Sequence, residues 1–315
     1  MPHRLRNRPA TALVAGALTL AVLSGCGRAT TPPGTPAPAA ATASSTAPAP
    51  SAKTTERRFR ALEKEFDARL GVHAVDTGTG REVAHGADRR FAYASTFKAL
   101  LAGAILRTHG MDGIDKVVRY TEADLVTYSP VTEDFTDTGM SLRELCAATL
   151  WYSDNTAANV LLRELGGPDA LEKVLEELGD DVTEMDRIEP DLSEGKPGDI
   201  RDTSTPRALT AGLRAFLLGD ALERRERDLL RTWMATNTTG ETLIAAGLPR
   251  DWTVADKSGT AGYGGRNDIA VVWPDDGGNP ILFTVLSSRD EKDAERRDAL
   301  IARAATVALE GLGRR

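Results

Sequence analysis

Three short stretches carry residue types that together could do nucleophilic acyl transfer. Ser95-Thr96-Phe97-Lys98 falls where FAYAS gives way to the apolar run FKALLAGAILR. If a helix starts at Ser95, Ser95 and Lys98 share one of its faces. A serine hydroxyl is a poor nucleophile until a base takes its proton, and a lysine of lowered pKa is such a base. A helix N-terminus also offers backbone N–H groups to a developing oxyanion. Chance, or a serine capping the helix, explains the same four residues. Ser153-Asp154-Asn155 follows one apolar helical stretch and opens another; these types favour helix N-caps, which is its plainer reading. Lys257-Ser258-Gly259-Thr260 ends a strand-like run. Lys257 would supply charge there, and Gly259 would let a substrate backbone approach as an added strand. Taken alone it is a strand end.

The surrounding pattern supplies the elements that must position these groups. Phe59, Leu62, Phe66 and Leu70 recur at helical spacing and predict an amphipathic helix over 56–69. GVHAVDT and REVAH flank Gly78-Thr79-Gly80 as a β-hairpin. Helices are expected over 96–108, 141–150, 154–165, 168–178, 206–217 and 221–234. Strands follow in WTVADKSGT, NDIAVVWP and PILFTVLSS, and a last helix runs from about 291 to 311. Strands at both ends with helices between them imply one sheet built from the two termini. The α/β lobe (α+β in its segregation) takes 56–90 and 235–315. A helical lobe takes 91–234, and a ligand cleft is expected between them.

Composition narrows the function. The chain has 315 residues and a formal net charge of -7. The first 55 residues hold five Lys or Arg and no Asp or Glu, leaving 34 basic against 46 acidic residues in the remainder. An acidic body repels phosphate backbones, so a nucleic-acid partner is not expected. Arg4, Arg6 and Arg8 precede the apolar stretch Ala10 to Leu23, the layout of an export signal too short to span a bilayer. Leu23-Ser24-Gly25-Cys26 resembles the lipobox of bacterial lipoproteins, in which the cysteine is lipidated; plain secretion with loss of Cys26 is the alternative. Residues 1–26 are thus expected as a signal peptide. Residues 27–55, almost wholly Ala, Thr, Pro, Ser and Gly, are expected as a flexible tether. Cys146 would then stand alone as a buried, inert thiol. Four scattered histidines without ligand spacing argue against a metal site.

A serine-x-x-lysine, a serine-aspartate-asparagine and a lysine-threonine-glycine type motif, in this order, mark class A serine β-lactamases and penicillin-binding proteins. The chain resembles the class A family from about 56 to 312, including the runs RFAYASTFKAL, YSPVT, DTSTPRAL, TGETLI and NDIAVVWP. Ser258 replaces the usual threonine and keeps a hydroxyl. The resemblance implies hydrolysis of a β-lactam, a small-molecule substrate, through an ester on Ser95 and without a cofactor. It implies Lys98 as a candidate acylation base, Ser153 as proton relay to the leaving nitrogen, and Asn155 as a substrate-amide ligand. Lys257, Ser258, Gly259, Thr260 and Arg266 would form the carboxylate site, and Tyr128 a cleft wall. Glu189, in the loop RIEPDLSEGKPGDIRD, would activate the deacylating water, with a cis bond to Pro190. Arg187 and Asp202 would tie the neck of that loop. Ser193 departs from the family's asparagine, which helps to hold that water. Ala94 and Ala261 stand where some carbapenem-hydrolysing members carry a disulfide.

Two other functions stay open at this point. A penicillin-binding peptidase shares the first three motifs but lacks the loop base. A β-lactam sensor, or a binder that sequesters drug, would acylate without turnover. The resemblance further implies a monomer, exported and either membrane-anchored by lipid or secreted.

Overall fold

Ser51 accepts a hydrogen bond from the Thr54 backbone N–H and so starts α1 (Ala52–Phe66) four residues before the expected position, inside the stretch assigned to the tether. The computed structural model describes residues 50–314; the expected signal, Cys26 and nearly all of the tether lie outside them. The helix ends at Asp67, whose left-handed backbone turns the chain into β1 (Arg69–Asp76). β1 pairs antiparallel with β2 (Glu82–His85) through the expected hairpin. β3 (Phe91–Ala92) then leads into α2 (Phe97–Gly113).

The helical region follows. Two-residue strands β4 (Val117–Val118) and β5 (Met140–Ser141) pair before α3 (Leu142–Trp151), α4 (Asn155–Leu165) and α5 (Pro168–Glu177). β6 (Thr203–Ser204) pairs back onto β3, and α6 (Pro206–Leu217) and α7 (Arg224–Ala235) follow. Every residue from Phe97 to Leu106 is buried, so α2 is a central helix, apolar all round as such helices are except at Lys98.

The chain returns to the sheet as β7 (Thr253–Thr260), β8 (Arg266–Trp273) and β9 (Ile281–Ser288), and ends in α8 (Asp298–Gly311). Strand order is β2-β1-β9-β8-β7, with neighbours antiparallel. The two ends of the folded chain therefore meet where β1 lies against β9. Alternation along the strands separates two cores. Ile269, Val271, Leu282 and Leu286 face one core, shared with α2 and α6. Ala270, Val272, Phe283 and Val285 face the other, under α1 and α8. Each large side chain buried this way contributes about 1.5–3 kcal/mol. The last helix starts at Asp298 rather than near 291, because the preceding segment is held in other ways. There Arg289 donates to the Phe66 and Gly264 carbonyls, and the Tyr263 N–H donates to the Lys292 carbonyl. Cys146 is a free, buried thiol on α3, which burial makes harder to ionise.

Candidate active site

Ser95 does not begin α2; it sits in the 3-10 turn Ala94–Thr96 immediately before it. Ala94 has a φ of 47°, a left-handed conformation that costs an alanine about 1–2 kcal/mol. The turn is held from β8, where the Asn267 side-chain amide donates to the Ala92 and Tyr93 carbonyls at 2.8 and 3.2 Å. It is also held from β7. A Cβ on Gly259 would lie 2.9 Å from the Tyr93 carbonyl oxygen and 3.1 Å from Thr96 Cγ2. The open side of this glycine is thus filled by the serine's own turn, where the sequence had suggested a substrate backbone.

Lys98 is fully buried beneath the turn. Its ammonium donates to Asn155 Oδ1 at 2.6 Å and to the Ser153 carbonyl at 2.8 Å, with Ser153 Oγ at 3.4 Å. Burial pushes its pKa down; the Glu189 carboxylate, 3.1 Å away, opposes that shift. Ser153 lies between two lysines, because Lys257 also reaches its hydroxyl, at 3.2 Å. Burial, and then the charge of Lys98, push Lys257 down to about 7. Asp154 makes this corner rigid. It caps α4 at the Ala157 N–H and accepts from the Val131 and Thr132 N–H groups. The capping reading and the site reading of the Ser153-Asp154-Asn155 motif are therefore compatible, since Asp154 does the capping.

Glu189 is almost fully buried and its bond to Pro190 is cis. Ser95 Oγ donates to Glu189 Oε1 at 3.1 Å, and Ser193 Oγ donates to Oε2 at 3.1 Å. The backbone of Glu189 is gripped by the Asn159 amide, which donates to its carbonyl at 2.8 Å and accepts from its N–H at 2.9 Å. Asn159 was not singled out from the sequence; its position four residues after Asn155, on the same helix face, was the available signal. The loop neck is closed by Arg187 Nε on buried Asp202 at 2.5 Å, and Asp202 also accepts the Asp186 and Arg187 backbone N–H groups.

Ser95, Ser153, Asn155, Glu189 and Ser193 line one cleft of about 380 Å³. Tyr128, 59% exposed, forms a wall of it. At the other end Arg266 donates to Thr260 Oγ1 at 2.9 Å and pairs with Asp298 at 2.7 Å. Ser258 donates to the Thr239 hydroxyl at 2.8 Å. Thr239 and Arg296 also line the cleft, and neither stood out in the sequence. All twelve expected catalytic and substrate-binding residues stand in or directly beside this cleft. Among the described residues no cluster of His, Cys, Asp and Glu could hold a metal ion.

A hydroxyl on a carboxylate, with a second hydroxyl between two ammonium groups, can form an ester and carry a base to clear it. That is the chemistry of a serine acyl-transfer hydrolase. The comparisons narrow the class: the model of the β-lactamase enzyme family matches residues 54–312, and the chain belongs to that family. A β-lactamase of Amycolatopsis lactamdurans is 53% identical over 84% of this chain and 87% of its own. The β-lactamase AST-1 of Nocardia asteroides is 49% identical over 99% and 98%. Among solved structures, a class A β-lactamase from Clostridium kluyveri superposes with a TM-score of 0.81 at 48% identity, covering 82% of this chain and 98% of that one.

Proposed function

We propose that the protein hydrolyses β-lactams through an acyl-enzyme on Ser95, and that Glu189 drives deacylation. The observation that carries this reading is the Glu189 carboxylate set on the Ser95 hydroxyl and bracketed by Ser193. A penicillin-binding peptidase has no such base, so this contact favours turnover over trapping.

The substrate carboxylate docks at Lys257, Ser258, Thr260 and Arg266. Ser95 Oγ attacks the ring carbonyl as its proton passes to Lys98, or through water to Glu189. The backbone N–H groups of Ser95 and Thr260 stabilise the oxyanion. The ring C–N bond breaks, and the nitrogen takes its proton through Ser153, which the two lysines recharge. Asn155 orients the substrate amide and Lys98. A water then gives its proton to Glu189 and adds to the ester carbonyl, and Ser95 leaves with a proton restored. Ser193 holds the carboxylate in place of the asparagine usual in the family. Turnover of a chromogenic cephalosporin by the purified protein tests the reading, with Ser95→Ala as the inactive control.

The N-terminal pattern supports export, with Cys26 as a lipid anchor and the Ala/Pro/Thr/Ser tether as a spacer between membrane and enzyme. Release as a secreted protein is the alternative. The resemblance to the family supports a monomer. Mass spectrometry of protein from its host tests the anchor: acylated Cys26 at the N-terminus supports it, and an unmodified species starting later removes it.

A further inference from the structure

Two carboxyl groups outside this constellation lie buried beside Lys257. Asp256 precedes Lys257 on β7, and Asp268 stands opposite Ser258 on β8. Both are sealed from solvent, and their four oxygens can be followed one by one. Asp256 Oδ1 accepts from the Asn237 amide at 2.9 Å. Asp268 Oδ2 accepts the Ile244 backbone N–H at 3.1 Å. The remaining two, Asp256 Oδ2 and Asp268 Oδ1, meet no donor among the described residues, and the two residues are diagonal neighbours on one face of the β7–β8 ladder, Asp256 opposite Ala270 and Asp268 opposite Ser258. Carboxylates have no donor of their own, so two buried, unpartnered carboxyl oxygens on one face satisfy each other only if a proton lies between them. Gly240 packs directly against Asp256, since a Cβ there would sit 1.8 Å from Asp256 Oδ2.

We propose that Asp256 and Asp268 share one proton, carry one negative charge between them, and act as a positioning pair that keeps the Lys257 ammonium charged for an anionic substrate. Two neighbouring carboxyls in a buried site do not both ionise. Burial raises the pKa of both carboxyls, Asp256 to about 6, and the Asp256 charge adds to the rise at Asp268. The charged neighbours fit one remaining charge. Lys257 faces Lys98 across the Ser153 hydroxyl. Lys98 has Glu189 as its partner and Arg266 has Asp298. Lys257 has no carboxylate in direct contact among the described residues, so the pair behind its strand is its counter-charge. The Asn237 amide donates to Asp256 Oδ1, which puts the shared proton on the other oxygens. The same amide accepts from the Thr239 N–H at 2.9 Å, and Thr239 accepts from Ser258, so the pair also sets the hydroxyl beside Lys257.

Substitution by asparagine tests the count. Either Asp256→Asn or Asp268→Asn replaces the shared proton by an amide N–H and leaves one negative charge. The double variant D256N/D268N leaves none. The pH above which KM for a penicillin rises should stay in place in each single variant. It should fall by about one unit in the double variant, raising KM about tenfold at pH 8 with a smaller change in kcat. A single variant that shifts this pH as far as the double overturns the proposal, as does a double variant that leaves it unmoved. Carboxyl 13C NMR of aspartate-labelled protein at pH 7 gives a readout free of folding losses in the double variant. A buried protonated aspartate signal that disappears in both single variants is expected; aspartates all ionised would refute the shared proton. The kinetic arm rests on the β-lactam reading and the NMR arm does not. Wild-type protein without turnover would therefore fail that reading while the carboxyl spectra still judge the pair.

Discussion

Ser193 Oγ and Glu189 Oε2 are joined by a hydrogen bond of 3.1 Å, while the other oxygen of the same carboxylate takes the Ser95 hydroxyl. The shorter serine therefore orients the base directly. Replacing Ser193 by Ala removes that donor and should slow deacylation about tenfold, the scale of a hydrogen bond to a charged group, with little change in acylation. Stopped-flow hydrolysis would show a larger burst followed by a slower steady state. An unchanged steady state would leave Ser193 without a part in deacylation.

Glu189→Ala separates the two chemical steps. Ester hydrolysis loses its general base, whose worth is typically about 10²–10⁴-fold, whereas acylation keeps Lys98 as a second candidate base. Intact-protein mass after exposure to penicillin should rise by one drug molecule and stay raised. In Ser95→Ala it should not rise at all. Free turnover by Glu189→Ala would remove Glu189 as the deacylation base.

The pH dependence follows from the buried lysines. Lys257 is held down to about 7 by burial and by Lys98, so in the free enzyme its ammonium is charged below about pH 7 and loses its proton as pH rises through that value. Affinity for an anionic substrate should fall in the same direction, with KM rising above neutrality. Lys257→Arg keeps its charge throughout, so its KM should be flatter between pH 6 and 9 than that of the wild type. A KM independent of pH in the wild type would contradict the depressed lysine.

How much of this was legible in the sequence depends on the distance over which each feature is built. The strands of NDIAVVWP and PILFTVLSS showed themselves because alternate residues serve two different cores. Ser95, Lys98, Ser153 and Lys257 were legible as motifs in order. The start of α2 was not, because Asn267 and Gly259, far along the chain, hold Ser95 in a separate turn. Thr239, Arg296 and the Asp256–Asp268 pair reach their places only through strand pairing and packing against β7 and β8, and each is an ordinary polar residue in its local run. Asn159 was within reach of a helix-face argument, but no local motif points to it.

Breaking the loop neck should cost both stability and the second chemical step. Arg187 pairs with Asp202, which is fully buried and also takes two backbone N–H groups. Arg187→Ala leaves that carboxylate without its cation, a loss of about 3–5 kcal/mol for a buried pair. Thermal unfolding should drop accordingly. At temperatures where the variant is folded, acyl-enzyme should accumulate more than in the wild type, because Glu189 hangs on the same loop. Equal loss of acylation and deacylation would mean that the neck supports the whole cleft and not the base in particular.

Gly259→Ala decides between two uses of the space beside that residue. If the glycine serves only to admit a substrate backbone, the variant should fold as the wild type does and lose only binding. The geometry predicts otherwise, because the added methyl points at the Tyr93 carbonyl and at Thr96. Those atoms belong to the turn that carries Ser95, and that turn is pinned from behind by Asn267, so it has little room to retreat. Overpacking of this kind costs about 1–3 kcal/mol, a drop of several degrees in Tm for a domain of this size. Displacement of Ser95 should also slow acylation by small, slim penicillins that make no strand-like contact with β7. A variant with wild-type Tm and a defect confined to substrates with long amide side chains would return the glycine to the substrate.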